Sequence, residues 1–174
     1  MNVEIEEWLI VDGYNIIGME QGFQWIPERL EQKRAELSAA LSEYQAVTGR
    51  RVYLVFDAHL TPGAEVKQRQ EGIEIFFTRQ DETADEWIER FVRKYRKPGR
   101  HIFVATSDFL EQRMIFGQGA YRISGRELLS EIRQMNQRLQ KRIHQQDQMQ
   151  KKPKLMDRIS HDIRQKLEQW RRKN

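Results

Sequence analysis

Apolar residues along this chain fall in short runs that close on acids. Trp8-Leu-Ile-Val-Asp12 is one, and Val52-Tyr-Leu-Val-Phe-Asp57 repeats the pattern. A run without polar alternation is buried on both faces, as in a central parallel strand whose last residue emerges at the edge of the sheet. Ile73 to Thr78 gives a third strand, interrupted by Glu74, and His101-Ile-Phe-Val-Ala-Thr-Ser-Asp108 a fourth that again closes on an aspartate.

Helical spacing fills the intervals. Pro27 suits a first turn, Leu30, Leu37, Leu41 and Tyr44 share one face, and Gly49 sits where a C-terminal cap belongs. Thr83 and Glu86 have the spacing of a capping box, opening a helix that turns Ile88, Phe91 and Tyr95 inward. Another helix is expected behind the fourth strand. His59 to Gly72 is polar, contains Pro62-Gly63, and reads as a loop; Phe116-Gly-Gln-Gly-Ala-Tyr-Arg122 reads as a second one. Ser124 and Glu127 then start a long helix carrying Leu128, Ile132, Met135, Leu139 and Ile143 on one stripe. Lys151-Lys-Pro153 interrupts it, and Leu155, Ile159, Ile163, Leu167 and Trp170 make a further stripe that either pairs with the first or lies separately on the body. Strand alternating with helix predicts an α/β chain with a parallel sheet covered on both faces.

Composition narrows the chemistry. The 174 residues suffice for one domain of common size plus an extension. No run approaches the roughly 18 apolar residues of a membrane helix, and acids stand near the N-terminus where a signal peptide carries bases, so a cytoplasmic protein without membrane contact is expected. Cysteine is absent and the 4 histidines show no ligand spacing, which leaves oxygen as the only donor for a metal. Charge is unevenly spread. Met1 to Ala120 holds 15 Lys+Arg against 20 Asp+Glu, a balance of −5, and Tyr121 to Asn174 holds 15 against 6, a balance of +9. An acidic body with a basic tail suggests a polyanionic partner gripped by the tail. Exposed basic helices also serve simply for solubility.

In an open parallel sheet, ligands bind beyond the carboxyl ends of the strands. Asp12, Asp57 and Asp108 each close a strand, and Asp85 lies in the first turn of the helix after the third. Carboxylates gathered there repel one another, and a hard cation such as Mg²⁺ or Mn²⁺ resolves the repulsion. Such an ion polarises a phosphoryl oxygen and lowers the pKa of a water. Each acid also has a plainer use: Asp108 as a helix cap, Asp85 as a partner of its helix dipole, Asp57 as the start of a turn. Asn15 is placed to orient a carboxylate or a water, or to cap the next segment. Thr106 and Ser107 either donate to the site or shape the turn. Phosphate-binding and dinucleotide glycine loops are missing, so no nucleotide cofactor is expected.

Five motifs in order, Val11-Asp-Gly-Tyr-Asn15, Phe56-Asp57-Ala-His59, Glu82-Thr-Ala-Asp85-Glu86, Ala105-Thr-Ser-Asp108 and Phe116-Gly-Gln-Gly-Ala120, resemble the YacP-like NYN domain family over roughly residues 8 to 135. The resemblance implies a three-layer α/β/α sandwich of PIN-like type with a central, mostly parallel sheet. It also implies metal-dependent endonucleolytic cleavage of messenger RNA in association with the ribosome. By motif, Asp12, Asp85 and Asp108 match the metal-binding acids, Asp57 a fourth, and Asn15 the accompanying asparagine. A nuclease domain over residues 1–135 and a basic helical extension over 136–174 are therefore expected. RNA contacts are expected from Lys67 and Arg69 beside the crevice and from Arg138, Lys141 and Arg142 in the extension. The rival readings are an RNA- or ribosome-binding adaptor that cuts nothing, and a metal-dependent phosphatase of small substrates.

Overall fold

The computed structural model describes residues 5–19, 23–58, 67–70, 72–107, 120–150 and 161–172. Its strands are β1 (Glu6–Asp12), β2 (Arg51–Phe56), β3 (Lys67–Gln70), β4 (Ile73–Phe77), β5 (Arg100–Thr106) and β6 (Tyr121–Ser124). Its helices are α1 (Gly13–Gly18), α2 (Pro27–Thr48), α3 (Ala84–Tyr95), α4 (Gly125–Gln150) and α5 (His161–Arg171). The six strands form one sheet in the order β3-β4-β2-β1-β5-β6. All neighbours are parallel except the edge strand β3, which runs antiparallel to β4. The apolar runs β1 and β2 occupy its centre, where both faces are covered, and this is why they lack alternation.

The pleat sends alternate residues to two cores. Trp8, Ile10, Tyr53, Val55, Ile102 and Val104 face α3 and pack with its Trp87, Ile88, Phe91 and Val92. On the other face, the Phe56 ring lies 4.9 Å from that of Tyr14 in α1, and Gln45 of α2 accepts from the backbone N–H of Val52. The result is the three-layer α/β/α arrangement. The chain divides into two compact units, Met1–Arg133 and Gln134–Asn174, with the division inside α4.

Both capping boxes form. Thr83 Oγ1 accepts from the N–H of Glu86 while the Glu86 carboxylate accepts from that of Thr83, and Ser124 with Glu127 repeats the arrangement at the start of α4. Gly49 closes α2 at φ 75°, the left-handed value expected of such a cap. Leu128, Ile132 and Met135 are buried, whereas Ile143, Ile163 and Trp170 farther along are exposed.

Three elements differ from the pattern-based expectation. Lys67–Gln70 is not loop but a strand, and Tyr121–Ser124 is a second edge strand. The short helix α1 directly follows β1. The expected helix after β5, the Phe116–Gly119 turn and the Lys151–Pro153 interruption lie outside the described residues.

Gly13 marks the tightest junction. A Cβ there would collide with the ring of Phe56, which is fully buried and stacks on Phe77. Gly13→Ala is expected to destabilise the fold by about 3 kcal/mol, the upper range for forced overpacking. The urea unfolding midpoint measures it; an unchanged midpoint would mean that the ring moves aside without cost.

Candidate functional site

The acids meet because of pleat parity. In β1 the residues facing α3 are Trp8 and Ile10, so Asp12, two further on, leaves the strand on the same side. In β2 the same row runs Tyr53, Val55 and then Asp57. Helix α3 covers this face and points its N-terminal turn, with Asp85, at the strand ends. Asp12, Asp57 and Asp85 thus line one crevice of about 680 Å³ at the carboxyl ends of the strands, together with Asn15, Trp25 and Ser107. The end of β2 is fixed by Thr78, whose N–H donates to the Phe56 carbonyl and whose hydroxyl accepts from the N–H of Ala58, each at 3.0 Å.

Asp12 is the buried member, 7% exposed, whereas Asp85 is exposed and Asp57 intermediate. Burial raises the Asp12 pKa to about 6, the fields of Asp85 and Asp57 add to the rise, and backbone N–H groups of Asn15 and Tyr14 oppose it. The carboxylate also caps α1 by accepting from the Asn15 N–H at 3.1 Å. Helix capping and site chemistry therefore coincide at Asp12.

Asn15, which also lines the crevice, is tied to the end of β5. Its side-chain oxygen accepts from both the N–H and the hydroxyl of Ser107, each at 2.6 Å. These bonds tie α1 to the end of β5, one residue before Asp108. Asp108 itself lies outside the described residues, as does His59.

The donor chemistry fits a hard cation: oxygen ligands only, one of them a desolvated carboxylate facing two others. Among the described residues no three such side chains form a closed ligand set. An ion here would be held by one or two carboxylates with water completing its shell, the mode Mg²⁺ favours.

Lys67 and Arg69 stand on the edge strand and not in the lining of the crevice. Both are exposed on β3, and Lys67 forms an ion pair with Glu74 at 2.7 Å. Arg138, Lys141 and Arg142 are exposed on α4, in the second unit. Sequence reasoning missed Tyr14 and Trp25 at the crevice. Trp25 is 49% exposed and meets Tyr14 edge-on at 6.2 Å, while the Tyr14 hydroxyl accepts from Arg34 at 2.8 Å. The available signal was the pair of aromatics Phe23 and Trp25 just before Pro27.

Comparison with known proteins agrees with this fold. The family described as YacP-like NYN domain matches residues 9–172. The chain is 41% identical to the uncharacterized protein YacP of Bacillus subtilis (strain 168) over 165 residues, covering 94% of this chain and 96% of that protein. A crystal structure of Rae1 (YacP) from Bacillus subtilis superposes with a TM-score of 0.73 at 40% identity, over 95% of each chain. A second crystal structure, of a variant of that protein, gives 0.72 at 37% identity over 88% of this chain and 89% of that one.

Proposed function

The chain belongs to the YacP-like NYN domain family, a nuclease-like PIN-type fold, and from that premise we propose that it is a divalent-metal-dependent endoribonuclease that cuts messenger RNA in association with the ribosome. The observation that carries the reading is the convergence of Asp12, Asp57 and Asp85, from distant parts of the chain, on one crevice beyond the strand ends. NYN domains are typically nucleases, and the acids have the hard-oxygen chemistry that phosphodiester hydrolysis uses.

Asp12 is the primary ligand in this reading, with Asp57 and Asp85 contributing directly or through water and Asp108 completing the set. A bound Mg²⁺ or Mn²⁺ supplies Lewis acidity at the scissile phosphate and a water of lowered pKa. Burial keeps the Asp12 carboxylate apart from bulk water, which strengthens its hold on a cation. Asn15 acts as a positioning residue: by fixing the Ser107 N–H and hydroxyl it holds the end of β5 at the crevice. Arg138, Lys141 and Arg142 on α4 attract phosphates without reading sequence.

Purified protein incubated with messenger RNA and Mn²⁺, with and without translating ribosomes, tests the proposal. New internal 5′ ends that vanish with chelator are the expected result. Release of inorganic phosphate alone would assign a phosphatase, and RNA or ribosome binding without turnover an adaptor; either outcome overturns the nuclease reading.

A further inference from the structure

A catalytic crevice lined by three carboxylates repels the polyanion it is proposed to cut, so attraction has to come from neighbouring surface. A second cavity, of about 520 Å³, lies along the same helix α3 on the same face of the sheet. Its floor is aromatic, with Phe76 and Tyr95 partly buried and packed against the α3-side core. Its rim is basic: Arg51, Lys67, Arg90 and Lys94 stand against the single lining acid Glu74.

The rim cations are held in position rather than neutralised. Glu74, its side chain 13% exposed, accepts from Arg51 at 2.6 Å and pairs with Lys67 at 2.7 Å, so one carboxylate orders two cations. Arg90 pairs with Glu82 at 2.6 Å. Counting both acids against the four cations leaves a surplus of two positive charges. Arg69, in register with Glu74 on the antiparallel neighbour, adds a fifth cation on this sheet face. The same cations sit over rings: Lys67 5.3 Å from the Phe76 centroid and Lys94 5.2 Å from that of Tyr95. Alternating cation and ring is the surface that single-stranded nucleic acid uses, phosphates on the charges and unpaired bases on the π-faces.

The groove also lies within reach of the crevice. Asp85 and Lys94 are nine residues apart on one helix, about 14 Å at 1.5 Å per residue. That is about four steps of a stacked strand at 3.4 Å each. Resting on the nuclease reading, we propose that the groove between α3 and the β3–β4 edge binds single-stranded RNA flanking the cleavage site. The occupant is RNA in preference to an acidic peptide because the rim offers both spaced cations and rings.

The test reads binding, not cleavage. Anisotropy of a labelled 12-nucleotide oligouridylate is followed in chelator across a salt series, with wild type and the double variant Lys67→Gln, Lys94→Gln. Both lysines are exposed, so the variant is expected to fold, and its melting curve checks that it does. Affinity should fall at least about tenfold, and the slope of log K against log salt should flatten by about 1.4, the loss of two phosphate contacts on a single strand. Cross-linking with 4-thiouridine oligonucleotide should label peptides from β4 and from the second half of α3. Unchanged affinity and slope, cross-links confined to residues 134–172, or equally good competition by polyglutamate would each overturn the proposal. Because no cleavage is measured, a chain that binds here and cuts nothing refutes only the nuclease reading. A chain that cuts RNA while the variant binds like wild type refutes only the groove.

Discussion

Asp12→Asn is expected to slow RNA cleavage at least about 10³-fold while RNA affinity in chelator stays within about threefold of wild type. The first number follows from what the charge does. A metal at a transferring phosphoryl group is worth several kcal/mol of transition-state stabilisation, and about 4 kcal/mol is three decades in rate. The second follows from where the charge is: Asp12 is buried, and the basic groups that would attract phosphate lie elsewhere. Asparagine retains an oxygen able to accept from the Asn15 N–H, so the cap on α1 survives and the variant tests charge rather than folding. Asp57→Asn and Asp85→Asn should cost less, about 10- to 100-fold each, as expected of groups that act on the ion through water. Rates come from the appearance of internal ends and affinities from anisotropy. Cleavage by Asp12→Asn within tenfold of wild type would remove Asp12 from the metal site and return the acids to structural duty.

What the sequence reveals of this protein depends on whether a residue's role is local. The central strands are legible because burial on both faces leaves an apolar run that nothing else explains, and the strand-end acids stand out against it. The two capping boxes are legible because both partners lie within one turn. Strand β3, Lys67-Gln-Arg-Gln70, has no apolar residue; its pairing with β4 makes it a strand, and pairing leaves no mark on composition. In β6 only Ile123 is buried apolar, too little for a period to emerge. Helix α1 is shorter than two full turns and carries no periodic signal at all. The partner of Asn15 is Ser107, 92 residues away, and a contact made only because the fold sets β1 and β5 side by side leaves no local mark in the sequence. Trp25 was hidden for a similar reason: an aromatic ahead of a helix becomes part of a site only when Tyr14 and Gly18 are seen beside it.

The same buried charge that serves the chemistry should burden the metal-free protein. The Asp12 pKa rises from 3.8 to about 6 on folding, so the folded state binds this proton more tightly than the unfolded chain. Below about pH 4 the group is protonated in both states and costs nothing. As pH climbs from about 4 to 6 the unfolded chain ionises freely while the folded one resists, and stability falls. Above about pH 6 both are ionised and the loss is complete. At about 1.4 kcal/mol per pK unit the full loss is about 3 kcal/mol. Asp12→Asn removes the ionisation and keeps the cap, so in chelator it should be more stable than wild type by up to that amount at pH 8 and no more stable at pH 4. The difference between the two proteins isolates Asp12, because every other acid titrates in both. Mn²⁺ should narrow that difference at pH 8. It binds the folded crevice of wild type and should stabilise it by about 2.7 kcal/mol at a hundred times its dissociation constant, while the variant responds less. Urea unfolding of both proteins at pH 4, 6 and 8, with chelator and with graded Mn²⁺, gives the whole pattern. A stability difference that does not change with pH would mean that Asp12 is not held neutral by burial, and equal Mn²⁺ responses would mean that it does not hold the ion.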